Sequence, residues 1–214
     1  MKQVYNFYFP DYETHFPKML EKSLKKEGHL RYQSAARDFA VNLCSLKRVS
    51  IDIGGNVGLW SCELVDHFEK VIIFEPVKEF IDCLKLNLRK NNFEIHQVAL
   101  GNQESSVNMK IVEGNTGHTH IDLTSISNGD TLLKKLDSFN FTNVDLIKID
   151  VEGYENQVLE GAYKTILSNK PVIIVEQTRH EYQNDKETLP AVKLLQNWGY
   201  RVQGTFNKDW VLTT

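Results

Sequence analysis

Cysteine is scarce and unpatterned in this sequence. Cys44, Cys62 and Cys83 are an odd set without CxxC spacing, which argues against a disulfide framework or a zinc knuckle and predicts plain buried thiols. Five prolines and 12 glycines in 214 residues exclude a collagen-like or linker-dominated chain. No apolar run approaches the roughly 20 residues of a membrane span, and Met1–Tyr8 has aromatics but neither a continuous apolar region nor a small-residue cleavage site. Net charge is only −3, from 25 basic and 28 acidic residues, so no strong field for nucleic acid is expected. What is present is 41% hydrophobic residues, too many for a disordered chain and ample for a buried core. These features predict a reduced, soluble, cytoplasmic protein folded as one domain over residues 1–214, with neither a membrane nor a nucleic-acid partner. Nothing in them fixes its oligomeric state.

The charge is unevenly spread. From Lys18 to Arg48 basic residues outnumber acidic ones, which suits a solvated helical face or a surface for an acidic partner. Helices are expected over about residues 12–26 and 32–46, broken at Gly28, giving an N-terminal helical extension over 1–47. From residue 48 on, β-rich runs alternate with helical ones. Strands are predicted at 49–53, 71–75, 95–99, 144–150 and 172–176, and helices at about 57–67, 78–91 and 155–167. Near-continuous Val/Ile/Leu runs suit strands covered on both faces, so the core reads as a doubly wound α/β sheet with right-handed crossovers. Residues 101–141 read as a small meander with a loop at Gly114–Gly117. Residues 200–205 and 210–212 read as a C-terminal β-hairpin.

The run Asp52-Ile53-Gly54-Gly55-Asn56-Val57-Gly58 follows a strand and opens a helix, where a nucleotide-type cofactor sits in an open α/β sheet. Glycines there allow close backbone approach, and the next helix N-terminus favours a negative group. A dinucleotide fingerprint fails at Asn56 and Leu59, and P-loop spacing is absent. Asp52 is placed to hold a cationic amino group directly or through water. Glu75 lies about 20 residues past the loop, the spacing of a ribose-binding carboxylate. An ammonium group, a ribose and no phosphate describe S-adenosylmethionine better than NAD. Gly161, on a helix away from this edge, is expected to tolerate alanine.

Four ordered motifs carry a specific resemblance: Asp52–Gly58, Phe74-Glu75-Pro76, Val98-Ala99-Leu100-Gly101 and Asp145–Gly153, with Leu136-Asp137 and Val175-Glu176 also matching. Over about residues 49–176 the chain resembles the FkbM family of class I methyltransferases. That resemblance implies a Rossmann-like class I methyltransferase sheet of seven strands with helices on both faces, S-adenosylmethionine as donor (leaving as S-adenosylhomocysteine), and O-methylation of a small molecule or sugar. It implies further that Asp52, Gly54, Asn56 and Gly58, with Ile53, Gly55 and Val57 between them, line the methionine end of the cofactor. Glu75, next to Pro76, would bind the ribose hydroxyls, and Ala99 and Leu100 would border adenine. Gly55 departs from the family, which more often has Ala there.

Lys148, Asp150 and Glu152 alternate onto one side of an extended strand at the same sheet edge. They read either as a charge-balanced strand end or as catalytic groups, Asp150 orienting a hydroxyl and Glu152 serving as base. His180, after the fifth strand, is a rival base. His118 and His120 alternate in the meander, but without a third partner at ligand spacing no metal is expected. Phe7, Tyr8, Phe9, Tyr12 and Phe16 read as a packed lid. Two other readings remain open from sequence: binding of S-adenosylmethionine without turnover, and a nicotinamide-dependent oxidoreductase.

Overall fold

The computed structural model describes residues 1–177 and 189–214. The chain opens with β1 (Lys2–Val4) and β2 (Phe7–Phe9), an antiparallel hairpin, followed by α1 (His15–Glu27) and α2 (Ser34–Leu43). Gly28 ends α1 in the left-handed region at φ +75° and donates to the Leu24 carbonyl, the C-terminal cap its position predicted. The expected extension is therefore not purely helical. Phe7 and Phe9 are buried, and the β2 backbone is held by Asn87, which accepts from the Tyr8 N–H and donates to the Tyr8 carbonyl.

The alternation then runs β3 (Val49–Ile53), α3 (Ser61–His67), β4 (Lys70–Phe74), α4 (Lys78–Asn87) and β5 (Phe93–His96). A meander follows, comprising β6 (Ala99–Leu100), β7 (Ser105–Lys110), β8 (His120–Asp122) and β9 (Thr131–Lys134). The chain re-enters the main layer with β10 (Val144–Ile149), α5 (Glu155–Gly161), α6 (Tyr163–Asn169) and β11 (Val172–Glu176). It ends with α7 (Pro190–Asn197), β12 (Arg201–Phe206) and β13 (Asp209–Thr213). The central sheet has seven strands in the order β12-β13-β11-β10-β3-β4-β5, all parallel except β13.

Apolar side chains on alternate strand positions feed two cores. Leu146, Ile73 and Ile174 face the side covered by the N-terminal segment, α3 and α4, whereas Ile147, Ile149 and Ile72 face α5, α6 and α7. The expected C-terminal hairpin is the β12–β13 pair, and it extends the central sheet instead of standing apart. The strand predicted at 95–99 is divided. β5 stops at His96, and Ala99–Leu100 pairs with β9 in a separate four-stranded sheet.

The helix expected from Val57 begins only at Ser61, because Gly58 at φ +86° makes a turn first. The helix expected over 155–167 is two, meeting at Ala162. Just before that junction Gly161 packs on the Gly101 backbone, where a Cβ would lie 1.9 Å from the Gly101 carbonyl oxygen. The expected tolerance of Gly161 to alanine is thereby overturned.

Candidate active site

Chain order reverses between β3 and β10, which are parallel neighbours, so the loops leaving their carboxyl ends diverge and open a crevice. A cavity of about 370 Å³ lies there, within the size range of small-molecule sites. Ile53, Gly54, Gly55, Asn56, Val57, Glu75, Pro76, Ala99, Leu100, Lys148, Asp150 and Glu152 all line it. Asp52 and Gly58 do not, and His180 lies outside the described residues.

The glycine loop is held by its own backbone. Gly54 and Gly55 N–H donate to the Phe74 carbonyl at 3.0 and 3.1 Å, and Gly58 N–H donates to the Gly55 carbonyl at 2.8 Å. Asn56 N–H donates to Glu75 Oε2 and Val57 N–H to Asn56 Oδ1, both at 2.8 Å. All five N–H groups from Gly54 to Gly58 are thus engaged inside the protein, and the loop presents none of them to a phosphate. Gly54 sits at φ +83°, and a Cβ there would lie 1.9 Å from the Asp150 carbonyl oxygen. Its glycine is needed for the approach of β3 to the end of β10, before any ligand is considered.

Glu75 is buried, and its second oxygen accepts from the Val77 N–H at 2.8 Å. Burial is the dominant effect and pushes its carboxyl up to about 7, against the stabilising bonds from Val77 and Asn56. The residue both lines the cavity and clamps the glycine loop to the end of β4.

Asp52 is fully buried. Its Oδ2 accepts from Ser61 Oγ at 2.5 Å, and its Oδ1 is 3.5 Å from Lys148 Nζ. The residue expected to hold a cationic amino group directly or through water lies beside a buried lysine and outside the cavity lining, and burial raises its carboxyl pKa. Lys148 Nζ also lies 3.4 Å from Asp150 Oδ2 and 5.5 Å from the centroid of Trp60. Burial opposes its charge, but the surrounding carboxylates, Asp150 and Asp52 first and then Asp209 and Glu176, together raise its pKa and keep the ammonium protonated.

Lys148 and Asp150 share a side of β10 as the alternation predicted. Glu152 reaches them differently, because β10 ends at Ile149 and Glu152 takes a left-handed backbone at φ +52°. Sequence reasoning did not place Glu176 and Asp209 with this group. Ile149 pairs with Val175, so Asp150 lies one step beyond beside Glu176, and Glu176 pairs directly with Asp209 across the β11–β13 ladder. Directly paired residues share a face, so three carboxylates line up over three adjacent strands. Burial, then the Asp150 charge, pushes Glu176 up to about 7. Burial, then Glu176 and Asp150, pushes Asp209 up to about 8.

The far wall comes from segments outside the alternating core: His15, Phe16, Tyr32 and Gln33 from the N-terminus, and His118 and Thr119 from the meander. Glu13 ties these pieces together, its Oε1 accepting from the Phe16 N–H at 2.9 Å and its Oε2 from the Thr116 N–H at 2.6 Å. Gln33 accepts from Trp60 Nε1 at 2.5 Å and reaches Glu176 at 3.5 Å. Phe7, Phe9 and Phe16 are buried, and of these Phe16 reaches the cavity, so the aromatic N-terminus packs as core and contributes one wall residue. His118 reaches the cavity, whereas His120 Nδ1 is 2.8 Å from the His118 carbonyl oxygen.

A seven-stranded sheet with one antiparallel strand, a self-satisfied glycine loop at its switch point and a buried acidic residue ending the next strand define a Rossmann-like class I methyltransferase fold. The FkbM methyltransferase domain family model matches residues 52–202, and the chain belongs to that family. Among solved structures it is similar to the FkbM methyltransferase of Methylobacillus flagellatus KT, with a TM-score of 0.52 and 18% identity over 78% of this chain and 43% of that one. It is also similar to an rRNA methylase from Streptococcus thermophilus, with a TM-score of 0.50 and 11% identity over 84% of this chain and 92% of that one. At these identities the likeness is one of fold. The chain spans less than half the length of the Methylobacillus protein. No curated protein matches the chain. The N-terminal hairpin and both N-terminal helices precede the family match, although they supply part of the cavity wall.

Proposed function

We propose that the protein is an S-adenosylmethionine-dependent methyltransferase acting on a hydroxyl of a small molecule or carbohydrate. The observation that carries this reading is the glycine loop, whose five N–H groups are all engaged internally while a buried carboxylate, Glu75, stands beside it. Such a loop suits a cofactor with a ribose and no pyrophosphate, and it counts against a nicotinamide dinucleotide. Each Glu75 oxygen takes one backbone N–H and retains a lone pair for a ribose hydroxyl. Val98, Ala99 and Leu100 offer an apolar border for adenine. Bound there, the cofactor would supply an electrophilic methyl group on a sulfonium. Asp150, at the end of β10, would orient the acceptor hydroxyl, and Glu152 would take its proton.

The three free, buried thiols support a reducing, cytoplasmic setting. No helix among the described residues is long and apolar enough to cross a membrane. The wall built by His15, Phe16, Tyr32 and Gln33 suits a compact acceptor better than a nucleic acid.

A thermal-shift comparison of S-adenosylmethionine, S-adenosylhomocysteine and NAD tests the cofactor, because a ligand of the native state raises the melting midpoint. The first two should raise it and NAD should not; a shift with NAD alone overturns the reading. An acceptor screen read by S-adenosylhomocysteine release then separates turnover from binding alone.

A further inference from the structure

The basic stretch that begins at Lys18 places Lys18, Lys22, Lys25 and Lys26 on α1, all of them exposed. With Glu21 they line one surface depression. Residues three and four apart are neighbours on a helix surface, so Lys18, Lys22 and Lys25 stand in line on one face. Helix stability accounts for only part of this charge. Lys25 and Lys26 lie in the last turn, where cations suit the helix dipole, and Lys25 Nζ is 2.5 Å from Glu21 Oε1. Lys18 and Lys22 have no ion-pair partner among the described residues.

The same helix reaches the cavity through His15, Phe16 and Met19. Its lysines therefore start beside the cavity and lead away from it over about 12 Å of helix, from Lys18 to Lys26. An anionic ligand fits such a face, but three kinds fit poorly. Phe16 and Leu20 are buried in the core, and the exposed Met19 and Leu24 do not share a face, so α1 has no free apolar side to enter a lipid surface. A protein partner draws its affinity from buried aromatic and arginine anchors, and lysine is depleted in the centre of such interfaces. Nucleic acid calls for a broader basic surface than one helix on a chain of net charge −3. A flexible glycan with anionic groups on successive sugars needs only a line of point charges.

We propose that the lysine face of α1 is a docking surface for an anionic glycan, held beside the mouth of the cavity. On the methyltransferase reading, a sugar at the end of that chain would be the acceptor. The docking face itself does not depend on that reading.

The test is fluorescence anisotropy of an end-labelled oligogalacturonate, long enough to span α1, titrated with the full chain. Saturable binding that weakens as salt rises is expected, and a neutral galactan oligomer of equal length should bind at least about tenfold more weakly. Lys18→Glu combined with Lys22→Glu should weaken binding by about tenfold or more. Lys164→Glu combined with Lys193→Glu, the same change of charge at exposed positions of α6 and α7 across the sheet, should change it by less than about twofold. Circular dichroism checks that each variant is folded. Absence of saturable binding, or equal affinity in the parent and the folded Lys18/Lys22 variant, overturns the docking face. Equally tight binding of polyglutamate, or of vesicles of phosphatidylcholine and phosphatidylserine in equal parts, overturns the glycan in favour of an acidic protein or a membrane. Oligogalacturonate binding without any S-adenosylmethionine thermal shift would sink the methyltransferase reading and leave the docking face standing; the reverse pattern does the opposite.

Discussion

Glu75 should be as important to the glycine loop as to any ligand, and substitution can separate the two roles. Its two oxygens accept from Asn56 and Val77 N–H, both at 2.8 Å, inside a site where the side chain is 4% exposed. Glu75→Ala leaves both donors buried and unpaired, at about 1–3 kcal/mol each, and opens a cavity. A total destabilisation of about 3–6 kcal/mol is expected, a large share of the stability of an ordinary domain. Glu75→Gln keeps one carbonyl acceptor but turns an amide donor toward the second N–H, so about half that loss is expected. Urea denaturation gives the stability series, and calorimetry with S-adenosylmethionine under native conditions gives the binding series. Affinity should fall in both variants, in the same order as stability. The reasoning is refuted if Glu75→Ala matches the parent in urea midpoint and slope while losing the cofactor, since Glu75 would then be a ligand residue without a clamping role.

Gly161→Ala places a Cβ 1.9 Å from the Gly101 carbonyl oxygen and should destabilise by about 1–3 kcal/mol through forced separation of α5 from the 99–101 segment; an unchanged melting midpoint would show that this contact relaxes freely. Burial raises the Glu155 carboxyl from 4.5 to about 7, so the folded state holds a proton that the unfolded state has released between those values. The stability this provides is complete below about pH 4.5 and is lost as pH rises through 7, amounting to at most about 3 kcal/mol. Glu155→Gln should flatten that part of the urea-midpoint profile between pH 5 and 8, and parallel profiles would count against it. Once an acceptor is known, Asp150→Asn and Glu152→Gln should lower turnover by about 10²–10⁴-fold with S-adenosylhomocysteine affinity within a few-fold; parental rates in both would make the pair structural.

The sheet was legible because its signal is local. β11 occupies Val172–Glu176, the five residues its apolar run marks out, and the loop at Gly54–Gly58 sits where a strand-to-helix transition puts it. Boundaries failed where a tertiary event interrupts a continuous pattern. Ile95 to Ala99 reads as one strand, yet the chain changes sheets after His96. Residues 155–167 read as one helix, yet the chain breaks at Ala162, next to the Gly161–Gly101 contact. Asp52 reads as a ligand-facing acid from its strand-end motif alone, which does not reveal the cation beside it. Its partner, Lys148, arrives from the neighbouring strand across the switch point.

The two halves of the cavity differ in the same way. Its cofactor half is built from contiguous motifs at the ends of β3, β4 and β10 and from the short strand β6, each fixed by the parallel sheet or by β9. Its other half is assembled from distant pieces: α1 and the chain before α2, the meander loop held by Glu13, and the β12–β13 turn carrying Asn207 and Lys208. Those pieces are distant in sequence, and the meander loop also touches the glycine loop, where Asn56 Nδ2 donates to the Thr116 carbonyl at 2.9 Å. Asp150 and Glu176 stand at the seam, on core strands yet facing segments that the core does not specify. On the proposed reading, an acceptor would lie between the carboxylates on one side and the wall of Phe16 and Tyr32 on the other. Exchanging Phe16 or Tyr32 should then alter which acceptor is taken in an acceptor screen, while Asp150 and Glu152 would set the chemistry it meets.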